Sequence, residues 1–259
     1  MVNYFLNKQF SFNYNLTKKE SFMIYENVTT GIFHSRPNRF LAHVEIDGVM
    51  EVCHVKNTGR CKELLIKGVT VVVEKSNNPN RKTKYSLIAV YKGKRLINID
   101  SQAPNQVAYE WLSNNHLLSN ITHIQREKTF GNSRFDLFAT YETDRSAFIE
   151  VKGATLEMDN VVKFPDAPTQ RGVKHIEELI QCKKQGFDAF ILFVVQLSDV
   201  DYFTPNMDTH SEFGYALLKA KQSGVIIKAL ECEVTENSLV ITKEIPVKLP
   251  TLSLRQLHE

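Results

Sequence analysis

The sequence has little of what marks several large protein classes. No run of about 18 apolar residues occurs, which argues against a membrane-spanning helix. The longest apolar stretch, Ala189-Phe190-Ile191-Leu192-Phe193-Val194-Val195, is only strand length. The four cysteines (Cys53, Cys61, Cys182, Cys232) are scattered and form no CxxC pair, against both a disulfide framework and a zinc ribbon. The first dozen residues mix Asn, Lys and Gln with aromatics. They offer neither an apolar core nor a small-residue cleavage site, so no secretory signal is read and the expected compartment is the cytoplasm. No GxGxxG, P-loop or HExxH string is present, and nothing singles out a Ser/His/Asp or Cys/His arrangement.

What is present describes an ordinary globular chain of 259 residues, 42% hydrophobic and 24% charged. Such a chain is not disordered, collagenous or a coiled-coil rod, and its length suits one large or two small domains. The net charge of +3 is unevenly placed. Residues 1–104 hold 16 Lys/Arg against 8 Asp/Glu, and residues 105–259 hold 16 against 21. Mild imbalance between halves is common; it is also what a basic binding module joined to an acidic-leaning one would show.

Residues 1–22 have no clear period and read as a leader ahead of a start at Met23. Tyr25 to Val28 opens β-like alternation. Phe40 to Ile46 alternates, Asp47-Gly48 signals a hairpin turn, and Val49 to Val55 returns. Gly68 to Glu74, Tyr85 to Tyr91 and Leu96 to Ile99 are further strand candidates. About five short strands over residues 23–104 predict a small closed barrel, OB-like first. From residue 105 the pattern changes. Val107, Trp111, Leu112 and Leu118 lie at helical spacing after Pro104, predicting a helix over 105–120. Strands follow at Phe135 to Tyr141 and Ala147 to Lys152, about a turn at Thr143-Asp144. A helix is expected over Thr169 to Gln185, capped by Gly186. A buried strand at Ala189 to Val195, a helix over Ser211 to Gln222 and a strand at Val225 to Leu230 complete a mixed α/β domain over 105–259.

The sharpest chemistry lies at Asp136 and Glu150-Val151-Lys152. Residues two apart on a strand share a face, so Glu150 and Lys152 point the same way out of otherwise apolar strands. Burying such groups is costly unless they pair or hold a cation. Two converging carboxylates can bind Mg²⁺ or Mn²⁺, which activates water at a phosphate, and Lys152 can stabilise the attacking hydroxide. The same three residues also suit a solvated salt-bridge ladder. Glu110, on the preceding helix, can complete a metal site or simply face solvent. Arg171, Lys174 and His175 open the next helix, where cations oppose the dipole unless they face phosphate or carboxylates. Lys75, Arg81, Lys82, Lys84, Lys92, Lys94 and Arg95 form a run without Asp or Glu, interleaved with Tyr85 and Tyr91. Arg36 and Arg39, with Lys56 and Arg60, extend it. A basic groove with aromatic platforms suits nucleic acid; a solvated hairpin has the same composition.

Five strings then act together: Arg36-Pro-Asn-Arg39-Phe, His54-Val-Lys-Asn57-Thr58-Gly59, Ser133-Arg134-Phe-Asp136, Ile149-Glu150-Val-Lys152, and Phe164-Pro165-Asp166-Ala167-Pro-Thr169-Gln-Arg171-Gly172-Val-Lys174-His175. Their order and spacing over about residues 25–248 resemble the sugar fermentation stimulation protein A (SfsA) family. The resemblance implies an N-terminal OB-like domain and a C-terminal domain similar to PD-(D/E)xK nucleases. It places Asp136, Glu150 and Lys152 on the nuclease signature, Glu110 on its helical acidic position, and Arg171, Lys174 and His175 on the family's own block. It also implies DNA binding and a link to regulation of sugar use, notably of maltose. The expectation is a DNA-binding protein with a Mg²⁺- or Mn²⁺-dependent phosphodiester-cleaving site and no membrane partner. A non-catalytic DNA-binding regulator and an RNA-directed module are the rivals. Nothing in the sequence sets the oligomeric state.

Overall fold

A computed structural model describes residues 23–57 and 59–251. The leader expected at 1–22 lies outside the described residues. After a short strand, β1 (Met23–Ile24), six strands build the first unit: β2 (Val28–Asn38), β3 (Leu41–Ile46), β4 (Val49–Val55), β5 (Thr70–Lys75), β6 (Tyr85–Lys92) and β7 (Arg95–Asn98). They run in the order β4-β3-β2-β5-β6-β7. A parallel pairing of β4 with β6, Cys53 to Tyr85 through Val55 to Leu87, closes the ring, so five strands form the OB barrel.

Local sequence accounts for this shape. Burial alternates strictly along β3, with Ala42, Val44 and Ile46 inside. Asp47 and Gly48 both have positive φ (50° and 77°), as a two-residue hairpin matching strand twist requires. The eleven-residue β2 pairs first with β5 and then with β3. It turns from one partner to the other near Gly31, where a Cβ would lie 2.6 Å from Val44 Cγ1.

The second unit comprises α1 (Ala103–Ser113), β8 (Ile121–Phe130), β9 (Ser133–Tyr141), β10 (Arg145–Ala154), β11 (Leu156–Met158), β12 (Val161–Phe164), α2 (Gln170–Lys184), β13 (Asp188–Val195), β14 (Tyr202–Pro205), α3 (Met207–Gln222), β15 (Ile226–Val234) and β16 (Ser238–Ile245). Its main sheet runs β1-β16-β15-β13-β10-β9-β8, with β10, β13 and β15 parallel. Buried residues of α1 share one core with Ile149, Val151 and Leu192; those of α2 and α3 share another with Phe148, Ile191 and Phe193. The apolar run 189–195 is therefore the central parallel strand, covered on both faces. A small sheet, β11-β12-β14, lies beside it. Among the described residues no helix is long and apolar enough to cross a membrane.

Several expectations need correction. The helix expected over 105–120 ends at Ser113, because Asn114 caps it and Asn115 turns left-handed (φ 61°). Leu118 reaches the core from irregular chain. The last helix begins at Met207 rather than Ser211, with a kink at His210. Tyr25 is irregular and Glu26 and Asn27 form a bend rather than a strand, with Asn27 at φ 50°. Strands β11, β12, β14 and β16 had no clear alternation to announce them.

Candidate active site

The carboxylates meet where two strands part. Leu137 and Ile149 are the last β9–β10 pair. Beyond them the Val151 N–H has no main-chain partner on β9, and Asp136 Oδ2 accepts it at 2.8 Å. Asn105, in the first turn of α1, donates to Asp136 Oδ1 at 2.8 Å. On β10, Glu150 and Lys152 face α2, as their spacing requires. Glu150 is 2% exposed, and its Oε1 accepts from both Lys152 Nζ and His175 Nδ1, the latter at 2.5 Å. Its Oε2 is buried and has no hydrogen-bond partner.

His175 comes from the first turns of α2, which Thr169 starts by accepting the Gly172 N–H at 3.0 Å. Its ring packs edge-on to Phe135, and its Nε2 accepts a long bond from Arg171 Nε at 3.4 Å. Nδ1 therefore carries the proton that Glu150 receives. Burial, and then the charge of Glu150, push Asp136 above the ordinary carboxylate value. Burial also pushes Glu150 up, but the bond from His175 and the charge of Lys152 outweigh it and hold that carboxyl below its ordinary value.

Glu110 is not gathered into this cluster. It is 8% exposed; Gln106 Nε2 donates to its Oε1 at 2.6 Å, and Arg126 in turn donates to Gln106 Oε1 at 2.7 Å. Burial raises it, against the bond from Gln106 and the Met23 N–H. Among the described residues no three His, Cys, Asp or Glu side chains come together closely enough to hold a metal. A pair of carboxylates still fits a hard divalent cation. Mg²⁺ usually takes one or two carboxylates and keeps several waters. The unpartnered Glu150 oxygen, and an Asp136 raised first by burial and then by the charge of Glu150, are what such an ion would relieve.

The basic residues separate into different places. Arg39 lies in the β2–β3 turn; Lys75, Arg81, Lys82 and Lys84 lie at or within the β5–β6 loop. These are the loops that flank the oligonucleotide face of OB barrels. Within that group Lys84 pairs with Glu51 at 3.1 Å, and Arg81 donates to Ser86 and Thr83. Arg36 is spent internally: its guanidinium donates to the carbonyls of Arg39, Asn57, Gly59 and Arg60 at 2.6–2.8 Å. Lys92 and Arg95 pair with buried Glu157 at 2.6 and 3.2 Å and dock the barrel on the β11–β12 hairpin, while Lys94 stays exposed. Lys174 donates to the Asn132 carbonyl at 3.1 Å, and Arg171 is exposed at the rim of the cluster. Sequence reading missed Asn105 and Glu157; an Asn in a helix and an acid in a three-residue strand give no signal.

Two family models match, the SfsA N-terminal OB domain over residues 35–99 and the sugar fermentation stimulation protein RE domain over 102–238. The chain belongs to the SfsA family. The sugar fermentation stimulation protein homolog of Ruminiclostridium cellulolyticum is 55% identical over 227 residues, covering 88% of this chain and 100% of the relative. That of Clostridium beijerinckii is 54% identical with the same coverage. Among solved structures, Pyrococcus furiosus SfsA in complex with Ca²⁺ is similar with a TM-score of 0.80 at 27% identity, covering 88% of this chain and 100% of that one. The OB barrel followed by an α/β domain is thus the SfsA architecture.

Proposed function

We propose that this SfsA protein binds DNA and cleaves phosphodiester bonds with a divalent cation, Mg²⁺ or Mn²⁺. In this reading residues 23–104 hold the strand and residues 105–259 carry the site. The observation that carries it is the buried Glu150 Oε2 with no partner, on the strand beside Asp136. Asp136 and Glu150 would hold the ion, with the Val151 carbonyl and water filling the shell. Glu110, tied to Gln106, serves only if it turns inward. The Ca²⁺ complex of the Pyrococcus furiosus relative supports a hard cation in this family. Bound there, such an ion lowers the pKa of a water and neutralises charge on the scissile phosphate.

The chain's own groups supply the rest. Lys152 gives one N–H to Glu150 and keeps two for a water or phosphate oxygen. His175 fixes Glu150 Oε1, which leaves Oε2 directed away from its own donors. Asn105 and the Val151 N–H fix Asp136. Arg39, Lys75, Arg81, Lys82, Lys84 and Lys94 on the barrel, and Arg171 and Lys174 on α2, contribute sequence-independent attraction to the backbone.

The test is cleavage of single-stranded, duplex and branched DNA and of RNA, with Mg²⁺, Mn²⁺ or EDTA, by wild type and Glu150→Ala. Metal-dependent cleavage of DNA lost in the variant is expected. Cleavage that survives Glu150→Ala sinks the site assignment. Binding without cleavage in both proteins returns the protein to the class of non-catalytic regulators.

A further inference from the structure

Asn57 and Gly59 of one diagnostic string meet Phe164 and Asp166 of another at a concavity that the cleavage chemistry leaves unused. It lies where the barrel joins the α/β domain, immediately past Lys152 on the strand that carries it. Its lining combines Asn57 and Gly59 from the barrel, Gly153 and Thr155 from the end of β10, and Lys163 and Asp166 from around the end of β12. The volume is about 180 Å³. Sites that enclose a whole drug-sized ligand span roughly 300–1,000 Å³, so this one takes a single ring-sized group.

Its polar groups are divided between spent and available. Asn57 is spent, donating to the Ile99 carbonyl and accepting the Gly59 N–H. Among the described residues the side chains of Lys163 and Asp166 make no hydrogen bond or ion pair. Gln196, also in the lining, uses its Nε2 on Asn98 and Asp100 and turns its Oε1 toward Gly153. The hollow therefore presents the Lys163 ammonium, the Thr155 hydroxyl, the Asp166 carboxylate and the Gln196 carbonyl oxygen.

Both glycines sit tight against the lining. Neither has positive φ, yet a Cβ at Gly153 would lie 2.5 Å from Gln196 Oε1, and one at Gly59 would lie 2.8 Å from Asp166 Oδ2. Gly59 also borders a second hollow of about 480 Å³, lined by Arg39, Arg60 and Lys62 among others. A ring-sized polar pocket and a cationic hollow thus share one residue as their border.

We propose that the junction pocket holds one unpaired base of a bound strand and that its chemistry selects guanine. Guanine offers two adjacent N–H donors, N1 and N2, to the Asp166 carboxylate and a carbonyl, O6, to Lys163. Thymine offers one donor and no amino group. The flanking phosphates run over Arg39, Arg60 and Lys62, and the chain continues past Lys152. This inference rests on the reading of the protein as DNA-binding, but not on cleavage.

The test is binding of labelled single-stranded oligonucleotides, thymine throughout except for one central G, A, C or T, to the full chain at fixed salt with EDTA. About tenfold tighter binding of the guanine strand is expected, in line with one good base-edge contact. Asp166→Asn and Lys163→Met should each erase that preference, read within each variant as the ratio of its affinities for the guanine and all-thymine strands. Equal affinity for all four strands, preference for another base, or a guanine preference that survives both variants overturns the pocket and leaves the cleavage reading untouched. No binding to any strand overturns the DNA-binding reading as well. Asp166 is exposed, so its variant keeps the test interpretable should Lys163→Met fold poorly.

Discussion

Two buried carboxylates, Asp100 at the junction of the domains and Glu150 in the sheet, are managed in opposite ways. Asp100 is fully buried, and both its oxygens are used. Oδ2 accepts from Lys56 at 2.9 Å and from Tyr25 at 3.4 Å, and Oδ1 accepts the Gln102 N–H at 2.9 Å. The same network continues through Asn98 and Gln196 into the second domain. Glu150 is as deeply buried, but its donors crowd onto one oxygen and leave the other bare. A buried charge is tolerated when its lone pairs are answered. Asp100 is answered by the protein and so holds the domains together; Glu150 is half answered, and its bare oxygen is the atom the proposed cation would meet.

The contrast can be broken at several points. Glu150→Ala should cost roughly a thousandfold or more in cleavage rate, read in single-turnover assays, as losing a transition-state charge stabiliser does. Asp100→Ala should instead cost about 3 kcal/mol of stability by denaturant unfolding, since it strands Lys56 and the junction donors. A result in which Asp100→Ala unfolds no more easily than Glu150→Gln would erase the distinction. Divalent cation at a hundredfold excess over its Kd should stabilise the wild type by about 2.7 kcal/mol and Glu150→Gln far less, in thermal melts. That binding should weaken on acidification earlier than for an ordinary carboxylate site, because Asp136 takes up its proton above the usual range.

A smaller effect belongs to Glu157. Burial raises it, but Lys92 and the Asn160 N–H outweigh burial and hold it below its ordinary value. Its contribution is therefore complete above the unfolded carboxylate value of about 4.3 and lost as pH falls through the lower folded value. Glu157→Gln should cost about 1–2 kcal/mol at neutral pH, a gap that closes toward acid. The smallest effects lie on the barrel loops. Arg81→Ala and Lys84→Ala should each reduce the slope of log affinity against log salt by about 1. Arg36→Ala should leave that slope alone and lower the melting temperature, because its charge serves four carbonyls.

The legible parts of the sequence were those with a strong local period. The Asp47-Gly48 hairpin, the amphipathic helix from Thr169 and the apolar strand at 189–195 declare themselves through turn chemistry and spacing. Glu150 and Lys152 sharing a face follows from strand geometry alone. Asn105 supporting Asp136 was not readable, because the contact links residues 31 apart on a helix and a strand end. Nor was the fate of the basic run: composition shows seven cations between 75 and 95, but only the fold shows that Lys92 and Arg95 face Glu157 across the domain junction. The short strands β11 and β12 escaped for a related reason, since three or four residues carry too few alternations to outvote noise.

The pairing of β1 with β16 also governs the order in which the chain can fold. Met23 pairs with Leu239, more than 200 residues later. The barrel ring closes between Val28 and Lys92 and is complete as soon as that segment has left the ribosome. The edge of the large sheet must wait for nearly the entire chain, and loop closure over such a span is slow. Residues 23–24 are thus among the first described residues to be synthesised and among the last to lock. A nascent chain stalled before residue 238 would carry a finished barrel attached to a sheet still missing both of its outer strands on that side.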